Sequence, residues 1–377
     1  MDLLATFPAT ILSYGTYVVT LLVALTVIVF IHEYGHFKVA RLCGMKVDTF
    51  SIGFGREIWG KNDRYGTRWK IGWLPVGGYV KFAGDANATS MPDPSVTANP
   101  DEFHGKPIWQ RALVVAAGPV ANFILAFFLF AGAFYFLGDQ TPGTKLGKIL
   151  PDSPAQAAGF EVNDIVRKID GRRVQSFPDI IEIVTMSAGK TLTFDVDRSG
   201  SQVSLTVVPR SIVEDRGFYG KFTIGQIGAA PSLDADNFAD VSLGRAFELS
   251  ASQIERIVVL TVQYVGRLII GQDSVSQLGG VGTMAKLTGD AAQNGLFQYI
   301  GMIAVLSVSI GLINLFPIPM LDGGHLVFYA LEAIRRKPLG PQAQEWSFRI
   351  GFAVVIFIML VGNINDVIRV AVRNLAY

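Results

Sequence analysis

The residues with the most chemistry in them fall together at positions 32–36, which read His-Glu-Tyr-Gly-His. On a helix, positions i and i+4 share a face, so the imidazoles of His32 and His36 can reach one zinc ion. Glu33 sits where its carboxylate can take a proton from a zinc-activated water. The chain has only four histidines, at 32, 36, 104 and 325, and a single cysteine, Cys43. A multi-cysteine metal site and an internal disulfide framework are therefore excluded. A catalytic zinc usually takes three protein ligands and keeps one position open. The candidates for the third are His104, His325 and a carboxylate. Residues 314–325 read Asn-Leu-Phe-Pro-Ile-Pro-Met-Leu-Asp-Gly-Gly-His. Pro317 and Pro319 break the helix there, and the glycine pair frees the backbone beside Asp322. Asp322 is the natural third ligand and His325 the alternative; a plain turn with a solvated Asp322 is the simplest competing account.

These residues must be positioned by apolar elements. Half of the 377 residues are hydrophobic and 17% are charged, against roughly 25% charged in an average soluble protein. That composition excludes disorder and calls for lipid or a very large core. Lys+Arg 32 against Asp+Glu 31 gives +1, so bulk charge offers no footprint for nucleic acid. Three uncharged runs, at 11–31, 113–137 and 296–316, can each cross a hydrocarbon core that takes about 20 helical residues. A fourth, 350–361, extends to 372 only by accepting Asn363, Asn365, Asp366 and Arg369, and is expected to fray at its outer end. Residues 1–10 carry no Lys or Arg, and the first run meets His32-Glu33 rather than a small-residue cleavage site. It therefore reads as a span and not as a signal peptide. Two histidines and a glutamate at the end of a bilayer helix are expensive, which favours a functional site. Irregular backbone near Asp322 is tolerated at that depth only where it lines a protein cavity.

Basic residues set the orientation. Eleven Lys or Arg lie between residues 37 and 112, none precedes Lys38, and Arg335-Arg336-Lys337 follow the third run. Both loops belong on the cytoplasmic side, with the N-terminus, residues 138–295 and the C-terminus outside. Residues 254–270 are apolar-rich but hold Glu255, Arg256 and Arg267, the pattern of an amphipathic helix on the bilayer or on the protein. As a fifth span they would put Asp322 ~30 Å from the histidines, so the chemistry argues against a crossing there.

Three motifs in order resemble the site-2 protease family: the His32–His36 run, Asn314-x-x-Pro317-x-Pro319-x-Leu321-Asp322-Gly323, and Ala116-Ala117-Gly118-Pro119-Val120-Ala121-Asn122 in the second run. The arrangement is similar to the bacterial regulator-of-sigma-E protease branch and covers nearly the whole chain. The resemblance implies an intramembrane zinc metalloprotease of the bacterial inner membrane. His32, His36 and Asp322 would hold zinc, Glu33 would be the acid/base, and Asn314, with Pro317 and Pro319 beside it, would meet the substrate. The chain departs from the enterobacterial members of the branch in having room for one PDZ unit instead of two.

That unit, residues 141–212, reads as strand, small-residue helix, strand, hairpin, helix and two paired strands. It looks like a circularly permuted bacterial PDZ domain. Such domains bind extended peptides at a sheet edge, so it either captures the outer tail of a substrate or acts as a steric plug. Residues 49–83 alternate at period two about a turn at 63–67. The resemblance implies a membrane-inserted β element, whose edge could hold substrate extended; an interfacial hairpin anchored by tryptophans is the alternative. Residues 84–100 read as a linker.

The expected fold is a polytopic α-helical membrane protein with four transmembrane helices, a membrane-associated β-hairpin element and one extracytoplasmic α+β PDZ domain. The expected segments are 1–37, 38–112, 113–137, 141–212, 213–295, 296–325 and 345–372. The expected activity is hydrolysis of a peptide bond within or beside the transmembrane segment of a single-span protein. Substrates of the membrane-bound anti-sigma factor type, or signal-peptide remnants, follow from the resemblance alone. The rival is a non-catalytic membrane adaptor with a structural zinc closed by a fourth ligand, for which His325 is the candidate.

Overall fold

A computed structural model describes residues 3–84, 99–138, 143–215, 221–232, 241–271, 274–337 and 340–375. Most of the expected linker, 85–98, and the first two residues of the expected PDZ segment lie outside the described residues. In chain order the elements begin with α1 (Leu3–Leu42), β1 (Val47–Asn62), β2 (Arg68–Phe82) and α2 (Ile108–Leu137). Next come β3 (Leu146–Ile149), α3 (Pro154–Ala157), β4 (Ile165–Ile169), β5 (Arg172–Arg173), α4 (Phe177–Thr185), β6 (Leu192–Arg198) and β7 (Ser201–Val207). The hairpin β8 (Arg210–Asp215) and β9 (Lys221–Gln226) leads to β10 (Ala229–Pro231). The chain closes with α5 (Leu243–Ile269), α6 (Val281–Gln293), α7 (Leu296–Leu315), α8 (Asp322–Arg335) and α9 (Pro341–Leu375). It forms two compact units, Met1–Ala133 with Phe247–Val367, and Phe134–Ala246 with Ile368–Tyr377.

Four helical stretches are long and apolar enough to cross a membrane: Gly15–Leu42, Ile108–Leu137, Leu296–Leu315 and Gln342–Val372. Helix α5 is not among them, in keeping with its charged face. Two boundaries differ from the sequence reading. The first helix does not close at His32; it runs on to Leu42 and stops at Gly44, whose φ of +66° supplies a left-handed cap. The His32–His36 run is therefore embedded in continuous helix. The fourth helix does not fray at its polar residues either. Asp366 Oδ2 accepts the amides of Gly280 (3.1 Å) and Thr283 (2.9 Å), and its Oδ1 accepts the Thr283 hydroxyl. Asn363 takes the Val281 amide. These side chains satisfy the orphan N–H groups at the start of α6, so polar residues on an apolar helix serve as a cap supplied from another element.

In the first unit, β1 and β2 are each long enough to fold over themselves. Phe50 pairs with both Trp69 and Val80, and Ser51 with both Lys70 and Tyr79, while Trp59 to Asn62 pair with Arg68 to Ile71. The segments thus run 57–62, 68–71, 49–52, 78–82; the two outer pairings are antiparallel, while 49–52 and 68–71 pair in a register that rises together along both segments. Phe37, Phe50, Val80, Phe82, Phe103 and Val114 form the core that fixes this sheet against the helices. Arg41 clamps the turn, donating to Asp63 Oδ2 (2.8 Å) and Thr67 Oγ (2.7 Å) between the rings of Phe37 and Tyr65.

The second unit has its own core of Leu146, Phe160, Val166, Ile169, Phe194 and Val196 among others. Its main sheet runs β5-β4-β6-β7, antiparallel throughout, and β10 pairs with β3. Buried Asp164 receives two bonds from Arg198, at 2.7 and 2.8 Å, which tie the turn before β4 to the end of β6.

Candidate metal centre

Three chain segments converge on one cavity of about 360 Å³ in the first unit. Helix α1 brings His32, Glu33 and His36; residues 78–80 of the outer sheet segment form a second wall; Asn314, Met320, Leu321 and Asp322 form a third. His325 also lines it, packed on Phe348 with ring centroids 5.5 Å apart. Pro317 and Pro319 do not line it. They turn the chain between α7 and α8, where Met320 is held at φ +84°, a conformation that costs about 1–3 kcal/mol in a non-glycine residue. Tertiary contacts compensate: Arg111 of α2 pairs with Glu332 of α8 at 2.7 Å and lies over the Tyr329 ring, fixing the helix that begins at Asp322.

The convergent atoms are His32 Nε2, His36 Nε2 and Asp322 Oδ2. They lie 3.2 Å apart between the two nitrogens, and 3.2 and 3.6 Å from the oxygen. Ligands at ~2.0–2.2 Å in tetrahedral geometry stand about 3.3–3.5 Å from one another, so the triangle already has the size of one metal's coordination shell. Its chemistry fits as well. His36 Nδ1 lies 2.8 Å from the Val114 carbonyl, which can only accept, so Nδ1 carries the proton and Nε2 a lone pair. Asp322 Oδ2 is buried with no hydrogen-bond partner of good geometry. His36 Nε2 and Asp322 Oδ2 thus both present lone pairs to the same point, which a cation there would satisfy. Among the described residues, only His32, His36 and Asp322 form such a group. His104, in the turn Phe103–Gly105, and His325 are not part of it.

Sequence reasoning left α2 without a role in the site. A Cβ on Gly118 would stand 2.2 Å from His36 Nε2 and 2.9 Å from His32 Cε1, and one on Gly35 would stand 2.4 Å from the Ala117 carbonyl. The two helices thus touch backbone to imidazole beside the metal position. Gly118 and Asn122 were visible as a glycine and a lone amide in an otherwise apolar run, and such intramembrane polar residues carry functional weight.

A bundle of membrane-length helices with two histidines and an aspartate converging beside a glutamate defines a multi-pass membrane metalloenzyme. The comparisons agree. Residues 20–358 match the model of Peptidase family M50, and the chain belongs to that family. It is 41% identical to a Rhizobium meliloti protein whose name calls it a zinc metalloprotease, over 92% of this chain and 95% of that one. It is 39% identical to the metalloprotease MmpA of Caulobacter vibrioides, over 93% and 95%. The protein is a membrane zinc metalloendopeptidase.

Proposed function

We propose that this protein cleaves transmembrane segments of single-span proteins, within or just beside the bilayer, as a site-2 protease of the regulator-of-sigma-E branch. His32, His36 and Asp322 hold the zinc and Glu33 is the catalytic acid/base. The single observation carrying this reading is the convergence of three potential ligand atoms of matching spacing in a cavity that Glu33 shares. When bound, zinc supplies a Lewis acid that polarises a carbonyl and acidifies water. Glu33 takes the proton of the attacking water and hands it to the leaving amine. Asn314, at the cavity wall, donates to the substrate backbone.

A helical substrate hides its own amides, so it must be drawn into extended form. The outer segment 78–82 pairs with β1 along one side only among the described residues, leaving an edge for strand addition. Pro317 and Pro319 turn the chain so that Asn314 and Asp322 both reach the opposite wall. The second unit is read as a PDZ domain on the periplasmic side of a bacterial inner membrane, filtering or capturing the outer tail of the substrate. Anti-sigma factor type proteins and signal-peptide remnants are the substrates that the family resemblance suggests, in regulated intramembrane proteolysis. An adaptor role with a closed structural zinc is disfavoured, because His325 is not in the three-atom group.

Detergent-solubilised Glu33→Gln, incubated with a tagged single-span peptide, is expected to retain zinc and lose cleavage by at least ~10²-fold. Equal cleavage by the two proteins would remove Glu33 from the chemistry. Zinc-loaded wild type that cleaves no membrane peptide would end the reading.

A further inference from the structure

The first-unit metal position leaves one proton unaccounted for, on His32. A neutral imidazole carries a single proton, so a ring whose Nε2 gives its lone pair to a metal must donate from Nδ1. For His36 the acceptor is the Val114 carbonyl. For His32 the polar group within hydrogen-bond distance of Nδ1 among the described residues is the side-chain amide of Asn122, with Nδ2 at 3.2 Å. Its oxygen, Oδ1, is buried without a hydrogen-bond partner, and the residue is wholly inaccessible to solvent. A half-turn about Cβ–Cγ exchanges the two ends within the same volume. It brings the orphaned oxygen to the nitrogen that must donate.

We propose that Asn122 is the positioning residue for His32. Its Oδ1 accepts the Nδ1–H bond and so holds the Nε2 lone pair on the metal, as the Val114 carbonyl does for His36. Val114, Gly118 and Asn122 are spaced by four, so one face of α2 supplies an acceptor, a gap for both rings, and a second acceptor. The backbone that carries the amide is itself held in place. The Ser307 hydroxyl of α7 donates to the Asn122 backbone carbonyl at 2.8 Å, and Gly311 lies close against its Cβ. This inference rests on His32 being a metal ligand.

The test measures zinc affinity of the full chain in detergent by chelator competition, for wild type, Asn122→Leu and Asn122→Asp. Leucine keeps the volume and removes the acceptor; it is expected to weaken zinc about 10–100-fold. Aspartate keeps the acceptor and is expected to bind at least as tightly as wild type. Equal affinity of wild type and Asn122→Leu would overturn the inference while leaving the metal site intact. Equal loss in both variants would assign Asn122 to packing and overturn it too. Wild type that binds no zinc would bring down the metal site and this inference together. Should Asn122→Leu fail to fold, 15N-histidine spectra of zinc-loaded wild type decide. Two imidazoles are expected to show slowly exchanging Nδ1–H protons, and a single one would refute the proposal.

Discussion

At the scale of single residues, the site depends on what is missing from α2 as much as on what α1 carries. Gly118 leaves room for both imidazoles, and a methyl group there would fall 2.2 Å from His36 Nε2 and 2.5 Å from its Cε1. Neither backbone nor ring can yield without moving a ligand atom, since His36 is pinned at its other nitrogen by Val114. Gly118→Ala is therefore expected to lower zinc affinity by ~10-fold or more, the effect of disturbing groups that orient a ligand. Chelator competition measures it, with circular dichroism to show that the helices persist. Unchanged affinity would mean that α2 stands further from the metal. The convergence of His32, His36 and Asp322 was legible in sequence, because i, i+4 spacing converts directly into shared helical face, and because prolines and glycines mark the break that frees Asp322. The acceptors on α2 were not, since a carbonyl has no sequence signature and Asn122 acquires its meaning only from the ring it faces.

At the scale of elements, alternation at period two revealed the β hairpin and its turn, but not that each strand folds back to make four segments. That depends on bulges at Gly53 and Gly55, both with φ above +80°, and on aromatic packing of Phe50 with Phe37 and Trp69. Likewise Asn363, Asn365 and Asp366 looked like damage to a span, because their partners on the segment before α6 lie about 80 residues upstream. The turn of the hairpin holds a pH-dependent clamp. Partial burial pushes the Asp63 carboxyl upward, but the amides of Tyr65 and Thr67, the Trp69 indole and the Arg41 guanidinium outweigh it and hold the group below its ordinary value. A carboxylate depressed in the folded state contributes stability that is complete above its unfolded value of about 4 and drains away as pH falls below it. Amide exchange at Tyr65 and Thr67 is accordingly expected to quicken, relative to the chain's intrinsic rate, as pH drops from about 5 to 3. In Asp63→Asn it should be fast at both values. A wild-type turn insensitive to pH would show that Arg41 and Asp63 do not bear on its stability.

At the scale of the whole molecule, near-neutral net charge conceals a strongly uneven layout. Eleven basic residues fall between 37 and 112 and none before 38, and the sheet and the metal position lie in the same unit as that basic stretch. If each of the four membrane-length helices crosses, residues 38–107 and 316–341 are expected on one side of a bilayer and the stretch between α2 and α7 on the other. Asp322 then reaches the level of the histidines only if α5 does not cross; a fifth crossing would separate them by ~30 Å. The basic-loop bias predicts that the hairpin side faces the cytoplasm. Single cysteines at Lys61 and Ser201, both exposed, introduced into a Cys43→Ser background, test the crossing of α2 and the orientation. In intact spheroplasts an impermeant maleimide is expected to label Ser201→Cys and to reach Lys61→Cys only after permeabilisation. Labelling of both from one side would require an odd change in the number of crossings and would put the aspartate and the histidines on opposite faces. The inverse pattern would keep the site assembled but turn the cavity, and the proteolysis it performs, to the other side of the membrane.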